Sequence, residues 1–187
     1  LGLSDLLQGV SLYLVGMMGC GKTTVGRILA QQLQYQFFDT DALIEQVAGC
    51  SIRTLFAESG EDAFRQLESQ VLSQLSAYTH LTIATGGGIV IKRENWSYLQ
   101  HGVVVWLDVP VDQLYARLSQ DTTRPLLQSV DPLAKLTHLW QERHELYAQA
   151  DVRVIVDSRS DPQQVATQTL TAIAQVIKPP QPMPEWN

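Results

Sequence analysis

Cysteine, basic residues and long apolar runs are scarce in this 187-residue sequence, and each scarcity argues against a class of protein. Its two cysteines are too few for a disulfide framework, which favours a reducing compartment. No stretch approaches the ~20 consecutive apolar residues of a membrane-spanning helix. Lysine and arginine number 13 against 19 acidic residues. The net charge of −6 therefore argues against a nucleic-acid partner, which would need a basic face.

The remaining composition is typical of one globular domain. Hydrophobic residues make up 45% of the chain and charged residues 17%, which allows a substantial core. Residues 1–10 lack the basic region and the long apolar run of a secretory signal. We therefore expect a cytoplasmic protein, with a plastid location as the alternative if a transit peptide has been removed.

Residues 16–24, GMMGCGKTT, contain the Gly-x-x-x-x-Gly-Lys-Thr pattern of a phosphate-binding loop. An apolar run precedes the loop and an amphipathic segment follows it, which is the strand–loop–helix context that the pattern requires. Glycines let successive backbone N–H groups turn towards phosphate oxygens, and the positive end of the helix dipole adds to that attraction. A plain glycine-rich turn is the alternative. The pattern predicts that Lys22 reaches the β- and γ-phosphates and that the Thr23 hydroxyl binds Mg²⁺.

Five apolar runs alternate with amphipathic segments along the chain. They predict strands near residues 11–15, 36–38, 81–84, 103–107 and 152–156, with helices between them. This alternation indicates an α/β fold with a parallel sheet and helices on both faces. We expect a single domain over residues 1–187, with a lid at 119–131, a helix break at Ser59-Gly60 and a disordered proline-rich tail at 178–187.

Acidic residues follow two predicted strands where parallel sheets bind ligands, outside the carboxyl ends of the strands. We assign Asp39 to Mg²⁺ through water, because this ion keeps several waters and takes few protein ligands. We assign Asp41 to a substrate hydroxyl as orienter and general base. The alternative for Asp41 is a cap on the next helix. Asp108 ends an apolar strand, so it either competes for the metal as a Walker B acid or only begins a turn.

Three arginines occupy positions that suit the recognition of anions. Arg65 lies three residues before Glu68, either in a surface ion pair or as a cation that Glu68 orients towards an anionic substrate group. Arg143 lies on an apolar helical stripe, where it needs an anionic partner from the protein or from a substrate carboxylate. Arg124, in the middle of the predicted lid, suits a clamp that stabilises phosphate charge on closure. The glycine run 86–88 lets a ligand approach the backbone closely.

In order along the chain, these motifs resemble those of the shikimate kinase family. They are GMMGCGKTTVGR (16–27), FFDTD (37–41), FRQLE (64–68), TGGG (85–88), RPLL (124–127) and RHELY (143–147). The resemblance extends from Leu12 to about Ile177. It implies a P-loop NTPase-type, nucleoside-monophosphate-kinase-like three-layer fold with a five-stranded parallel sheet and a mobile lid. It also implies transfer of the γ-phosphoryl of ATP to the 3-hydroxyl of shikimate, with Mg²⁺, in aromatic amino-acid biosynthesis.

The resemblance further implies a role for each matching residue. The implied catalytic residues are Asp41, Lys22 and Arg124, and the implied metal ligands are Thr23 and Asp39. ATP would contact Gly19, Cys20, Gly21, Lys22, Thr23, Thr24, Arg117 and Arg124, with Arg117 stacking on adenine. The helices at about 42–77 would bind the substrate, and shikimate would contact Asp41, Arg65, Gly86, Gly87, Gly88 and Arg143.

Two positions depart from the usual pattern of the family. Cys20 stands where serine or alanine is more usual, and Ser160 stands where an arginine often precedes the proline, which leaves the role of Arg159 open. Two other functions also stay open, another small-molecule kinase such as a gluconate kinase and a non-catalytic nucleotide-binding regulator. We expect a monomer that takes a small-molecule substrate and binds neither nucleic acid nor a membrane.

Overall fold

Five strands form the centre of the molecule in a computed structural model that describes residues 7–119 and 131–177. They are β1 Leu12–Val15, β2 Gln36–Asp39, β3 Leu81–Ala84, β4 Val103–Asp108 and β5 Val152–Ile155. All pairings are parallel, in the order β2-β3-β1-β4-β5. The predicted α/β class with a five-stranded parallel sheet is therefore confirmed.

Helices connect the strands. In the described residues they are α1 Lys22–Leu33, α2 Thr40–Ala48, α3 Ile52–Leu75, α4 Arg93–Leu99, α5 Val111–Leu118, α6 Pro132–Tyr147 and α7 Pro162–Val176. Pro at the first position and an Asp N-cap begin both α6 and α7, a combination in which proline gives up no helical hydrogen bond. No helix in the described ranges is both long enough and apolar enough to cross a bilayer. Arg124, most of the predicted lid and the tail at 178–187 lie outside the described residues.

The central strand β1 is buried along its whole length. It pairs with β3 on one side and with β4 on the other, so Leu14 lies opposite Ala84 and Val105. Continuous apolar runs of this kind are typical of parallel strands covered on both faces. The residues after β1 therefore leave the sheet at its middle, between the ends of two neighbouring strands.

Side-chain hydrogen bonds tie the carboxyl ends of β1, β2 and β3 together. Thr85 Oγ1 donates to the carbonyl oxygen of Leu14 over 2.8 Å. Gly86 N donates to Thr40 Oγ1 over 3.0 Å, and both threonines are buried. The loops that follow these three strands therefore begin at fixed positions along one edge of the sheet.

Helix α3 bends at Gly60, where the sequence predicts a break. Gly60 has φ 79° and ψ 176°, whereas the residues on either side form helix. The bend separates a first segment, 52–59, from a second segment, 61–75, that carries Arg65 and Glu68. Both segments contribute side chains to the same cleft, so the backbone at Gly60 sets how these two groups of side chains meet.

We expect Gly60→Ala to lower the free energy of unfolding by about 1–3 kcal/mol, because its backbone region is essentially restricted to glycine. A Cβ at Gly60 would meet no atom within 4 Å, so the loss would report backbone strain alone. Urea unfolding measures it. Gly49→Ala is the control, since Gly49 also has space for a Cβ and lies in the milder left-handed region at φ 68°, ψ 13°. Equal losses in the two variants would contradict a special role for the bend.

Candidate active site

A cleft of about 840 Å³ opens at the carboxyl edge of the sheet. The phosphate loop, the ends of β2 and β3, both segments of α3 and one side chain of α6 line it. The cleft brings together most of the residues that the sequence singles out: Gly19, Gly21, Lys22, Thr23, Thr24, Asp39, Asp41, Arg65, Gly86, Gly87, Gly88 and Arg143.

The phosphate loop has the conformation that its glycines predict. Gly21, the N-cap of α1, has φ 97°, which favours glycine, and the helix begins at Lys22. Lys22 Nζ donates to the carbonyl oxygens of Gly16 and Met17 over 2.8 and 2.9 Å. The loop thus holds a buried ammonium group beside the N-terminus of α1, and both features attract phosphate.

Cys20 differs from its neighbours in the loop. Its side chain is only 2% exposed and belongs to the hydrophobic core rather than to the lining of the cleft. Lys22 Nζ lies 3.5 Å from Cys20 Sγ, close enough for a weak hydrogen bond. The thiol therefore packs behind the loop, so Cys20 could contact a nucleotide only through its backbone atoms.

Asp39 joins the phosphate loop to the second strand. Thr23 Oγ1 donates to Asp39 Oδ2 over 2.7 Å, while Asp39 Oδ1 accepts from the backbone N–H groups of Asp41 and Ala42. Asp39 is therefore the N-cap of α2, and the alternative in which Asp41 serves as that cap is wrong. A hydroxyl and a carboxylate beside a phosphate-binding loop are hard oxygen donors, which fits Mg²⁺ with few protein ligands.

Asp108 does not lie in the cleft. Its Oδ2 accepts from Arg153 Nη2 over 2.6 Å and from Arg153 Nε over 3.0 Å. The Arg153 guanidinium also stacks over the Trp106 ring at 4.6 Å from the ring centroid. This carboxylate already has a charged partner on β5, which favours the structural alternative for Asp108 over metal binding.

Arg65 and Glu68 form a buried ion pair at the wall of the cleft. Arg65 Nη1 lies 2.8 Å from Glu68 Oε2, and the Glu68 side chain is 1% exposed. Burial raises the pKa of Glu68, and the Arg65 guanidinium opposes that rise. Exposed Glu61 accepts from the other side of Arg65 at 3.2 Å. The pair is therefore not a surface ion pair, and Glu68 orients Arg65 as the second interpretation requires.

The glycine run 86–88 allows these charged groups to lie against the backbone. A Cβ at Gly86 would come within 2.7 Å of Glu68 Oε1 and 2.8 Å of Asp41 Oδ1. A Cβ at Gly88 would overlap the Arg65 guanidinium, at 2.6 Å from Cζ. At these two positions glycine makes room for functional groups, and Asp41 is thereby placed near Glu68.

Arg143 contacts the same glycine run as Arg65, at Gly87 rather than at Gly88. It is 9% exposed, and its Nη1 donates to the Gly87 carbonyl oxygen over 3.4 Å. No carboxylate of the described residues lies within salt-bridge distance of it. Since a buried cation is costly without a counter-charge, this arrangement suits an anionic ligand.

Of the two remaining predicted arginines, Arg117 lies beside the phosphate loop and Arg124 is not among the described residues. Arg117, near the end of α5, places Nη1 3.4 Å from the Gly19 carbonyl oxygen, which brings its guanidinium to the outer side of the phosphate loop. That position is compatible with a contact to adenine. Arg124 lies outside the described residues.

The cleft also contains residues that our sequence analysis did not select. Phe56 and Phe64 pack with ring centroids 4.8 Å apart at the bend of α3, and exposed Arg53 lines the cleft from the start of the same helix. Phe64 follows the apolar period of the helix, so the sequence pattern predicts a core residue there and not a site residue. Arg53 in the first turn of a helix opposes the helix dipole, and this conflict was a usable signal.

Comparison with known proteins decides the family. A family model described as shikimate kinase matches residues 18–174. The chain belongs to the shikimate kinase family. A curated shikimate kinase from Nostoc sp. is 59% identical over 176 residues, which cover 94% of this chain and 97% of that protein. The structure titled shikimate kinase from Acinetobacter baumannii in complex with shikimate has a TM-score of 0.87 and 37% identity, covering 93% of this chain and 98% of that one.

Membership of this family makes the chain a kinase that uses ATP with Mg²⁺. A gluconokinase from Sinorhizobium meliloti shares the fold, with a TM-score of 0.57 and 17% identity over 90% of this chain and 94% of that one. At that identity the likeness concerns the fold alone. The family match therefore favours shikimate kinase activity over the alternatives of a gluconate kinase and a non-catalytic regulator.

We expect Asp39→Asn to raise the Mg²⁺ concentration for half-maximal kinase activity about tenfold, because the amide keeps the helix cap but loses the charge. Asp108→Asn should leave the Mg²⁺ dependence unchanged and lower the free energy of unfolding by about 1–3 kcal/mol, since it removes the charge of a buried carboxylate that accepts two hydrogen bonds from Arg153. Metal titrations of ATP turnover measure both effects. A larger metal effect for Asp108→Asn than for Asp39→Asn would reverse the two assignments.

Proposed function

We propose that this protein transfers the γ-phosphoryl group of ATP to the 3-hydroxyl of shikimate through the residues assembled in the cleft. The observation that carries the proposal is that Arg65, Arg143 and Asp41 line one cleft and all lie beside the glycine run 86–88. Two cations suit a carboxylate, and Asp41 suits a hydroxyl. The family match and the shikimate complex of the Acinetobacter relative support this acceptor.

The nucleotide half of the cleft would hold ATP through the phosphate loop. Lys22 would exchange its contacts with Gly16 and Met17 for the β- and γ-phosphates. Thr23 and Asp39 would hold Mg²⁺, which when bound neutralises charge on the phosphates. Arg117 would stack on adenine. Arg124 would reach the phosphates from the segment 119–131, which we propose to be a lid over the single domain.

The acceptor half of the cleft would fix shikimate by its carboxylate and present its hydroxyl to Asp41. Glu68 holds Arg65 in place and Gly87 O holds Arg143, so both guanidinium groups are positioned before the substrate binds. Asp41 would orient the 3-hydroxyl and accept its proton. Direct in-line transfer follows, because the described cleft residues supply positioning and charge around the reacting groups.

Two properties of the whole protein complete the proposal. We propose that it acts as a monomer, because the described residues place both halves of the cleft on one chain. We also propose a cytoplasmic site of action, on the basis of the two unpaired cysteines. Size-exclusion chromatography with light scattering and cell fractionation would test these two statements.

A coupled assay of ADP formation with shikimate and with gluconate is the decisive experiment. Turnover should require shikimate, and ³¹P and ¹H NMR of the product should place the phosphate on the 3-hydroxyl. Gluconate should give only the background rate of ATP hydrolysis. Faster turnover of gluconate than of shikimate, or ATP binding without phosphorylation of either acid, would overturn the proposed acceptor.

Asp41→Asn should reduce kcat by a factor of about 100 or more, because the amide cannot take the proton from the acceptor hydroxyl. The KM for ATP should change little, since Asp41 is assigned to the acceptor hydroxyl and the phosphate loop keeps all of its own groups. Steady-state kinetics with both substrates varied measure this. Asp62→Asn, an exposed acid on α3, is the control and should behave as wild type. Near-normal turnover in Asp41→Asn would remove Asp41 as the base.

Gly88→Ala should raise the KM for shikimate at least about tenfold and lower the free energy of unfolding by about 1–3 kcal/mol, because the new Cβ displaces the Arg65 guanidinium and weakens its ion pair with buried Glu68. The change should resemble that of Arg65→Ala. Gly49→Ala is the control, since a Cβ there meets no atom within 4 Å and Gly49 does not line the cleft. Thermal melts and shikimate titrations measure the two effects. An unchanged KM for shikimate in Gly88→Ala would show that Arg65 does not bind the acceptor.

A further inference from the structure

Tyr147 is a fully buried polar residue beneath the cleft that the proposed mechanism leaves without a role. It is 0% exposed and lies at the last position of α6, four residues after Arg143. Residues four apart on a helix share one face, so both side chains reach the same region. The ring of Tyr147 stacks on Trp106 of β4, with centroids 5.9 Å apart and the planes inclined by 28°.

The Tyr147 hydroxyl and the Arg143 guanidinium meet at one backbone atom. Tyr147 Oη donates a short hydrogen bond to the Gly87 carbonyl oxygen, and Arg143 Nη1 donates to the same oxygen over 3.4 Å. A carbonyl oxygen has two lone pairs and can accept both. The position of Arg143 therefore depends on an oxygen atom that Tyr147 helps to hold.

Gly87 also packs against the phosphate loop. A Cβ built at Gly87 would lie 3.4 Å from Met18 N and 3.5 Å from Gly16 O, so its Cα approaches the loop backbone closely. The Tyr147 hydroxyl itself lies 3.7 Å from Met17 Sδ. One hydroxyl group thus contacts the phosphate loop and the glycine run, while its helix carries the arginine of the acceptor half.

Tyr147 stays a hydrogen-bond donor over the pH range of an assay. Burial raises the pKa of Tyr147 above its usual value, and the nearby Arg143 charge only partly opposes this. The neutral phenol has one proton to donate, and the Gly87 carbonyl can only accept. The direction of the bond is therefore fixed by chemistry.

We propose that Tyr147 is a positioning residue that fixes Arg143 and the glycine run against the phosphate loop, and so sets where the acceptor carboxylate binds relative to the transferred phosphoryl group. This inference rests on the proposed role of Arg143 in binding the acceptor carboxylate. It concerns Tyr147 acting through Arg143 and Gly87, not contact of Tyr147 with the substrate. A residue that only fills the core would affect stability and leave the shikimate KM unchanged.

Tyr147→Phe tests the proposal, because it removes the hydroxyl and keeps the ring against Trp106. We expect the KM for shikimate to rise about three- to tenfold, the range for loss of one hydrogen bond, with less than about a twofold change in the KM for ATP. Thermal melts set an assay temperature at which every variant is folded. A shikimate KM equal to that of wild type would overturn the proposal.

Tyr13→Phe is the matched control. Tyr13 is also 0% exposed, and its hydroxyl has no hydrogen-bond partner in the part of the chain that the structure describes. The substitution therefore removes the same atom from the core without breaking a bond to the site. It should leave both KM values unchanged. If both variants raised the shikimate KM equally, the effect would be one of core packing and the proposal would fail.

A double-mutant cycle tests whether Tyr147 acts through Arg143. Arg143→Ala removes the group that Tyr147 positions, so Tyr147→Phe should change kcat/KM for shikimate less than about twofold in that background. Full additivity of the two losses would contradict the proposal. The proposed function is judged separately by turnover of shikimate in the unaltered protein, so its failure is distinguishable from failure of the inference about Tyr147.

Discussion

The parallel pairing of β1 with β3 and β4 is the constraint on which the site depends. It buries β1 completely and brings the phosphate loop out of the middle of the sheet. The loop after β3 lies next to the phosphate loop. One strand further along the sheet, at the end of β2, Asp39 accepts a hydrogen bond from Thr23. Because parallel strands end at one edge, residues far apart in sequence meet there without any special folding of the loops.

The buried charges of the site are stabilised by ion pairing, and two glycines without side chains leave room for them. Glu68 is fully buried because Arg65 compensates it, and the pair can lie against the backbone only because Gly86 and Gly88 lack a Cβ. Arg143 has its described contact at a carbonyl oxygen instead. An acidic protein thus places two of its few cations in one cleft, where they suit an anionic ligand.

Some features of the fold and the site could be predicted from the sequence alone, and others could not. The phosphate loop, the five strands and the break at Gly60 follow from local patterns, because glycine positions and the spacing of apolar residues are visible within a few consecutive residues. That Asp39 rather than Asp41 caps α2 did not follow, since aspartate is a good cap at either position and the two possible helix starts are only two residues apart. The sequence places Arg65 and Glu68 on one helix, but the burial of the pair depends on the distant glycine run that follows β3.

The sequence by itself determined the fold class, the nucleotide site and, through its ordered motifs, the family, because each of these is encoded in short stretches whose spacing is fixed. Only the tertiary structure decided that Asp108 pairs with Arg153, that Cys20 lies behind the loop and that Tyr147 holds Gly87. Each of those outcomes depends on which distant side chain lies within reach, and that distance is set by the packing of helices and strands against one another.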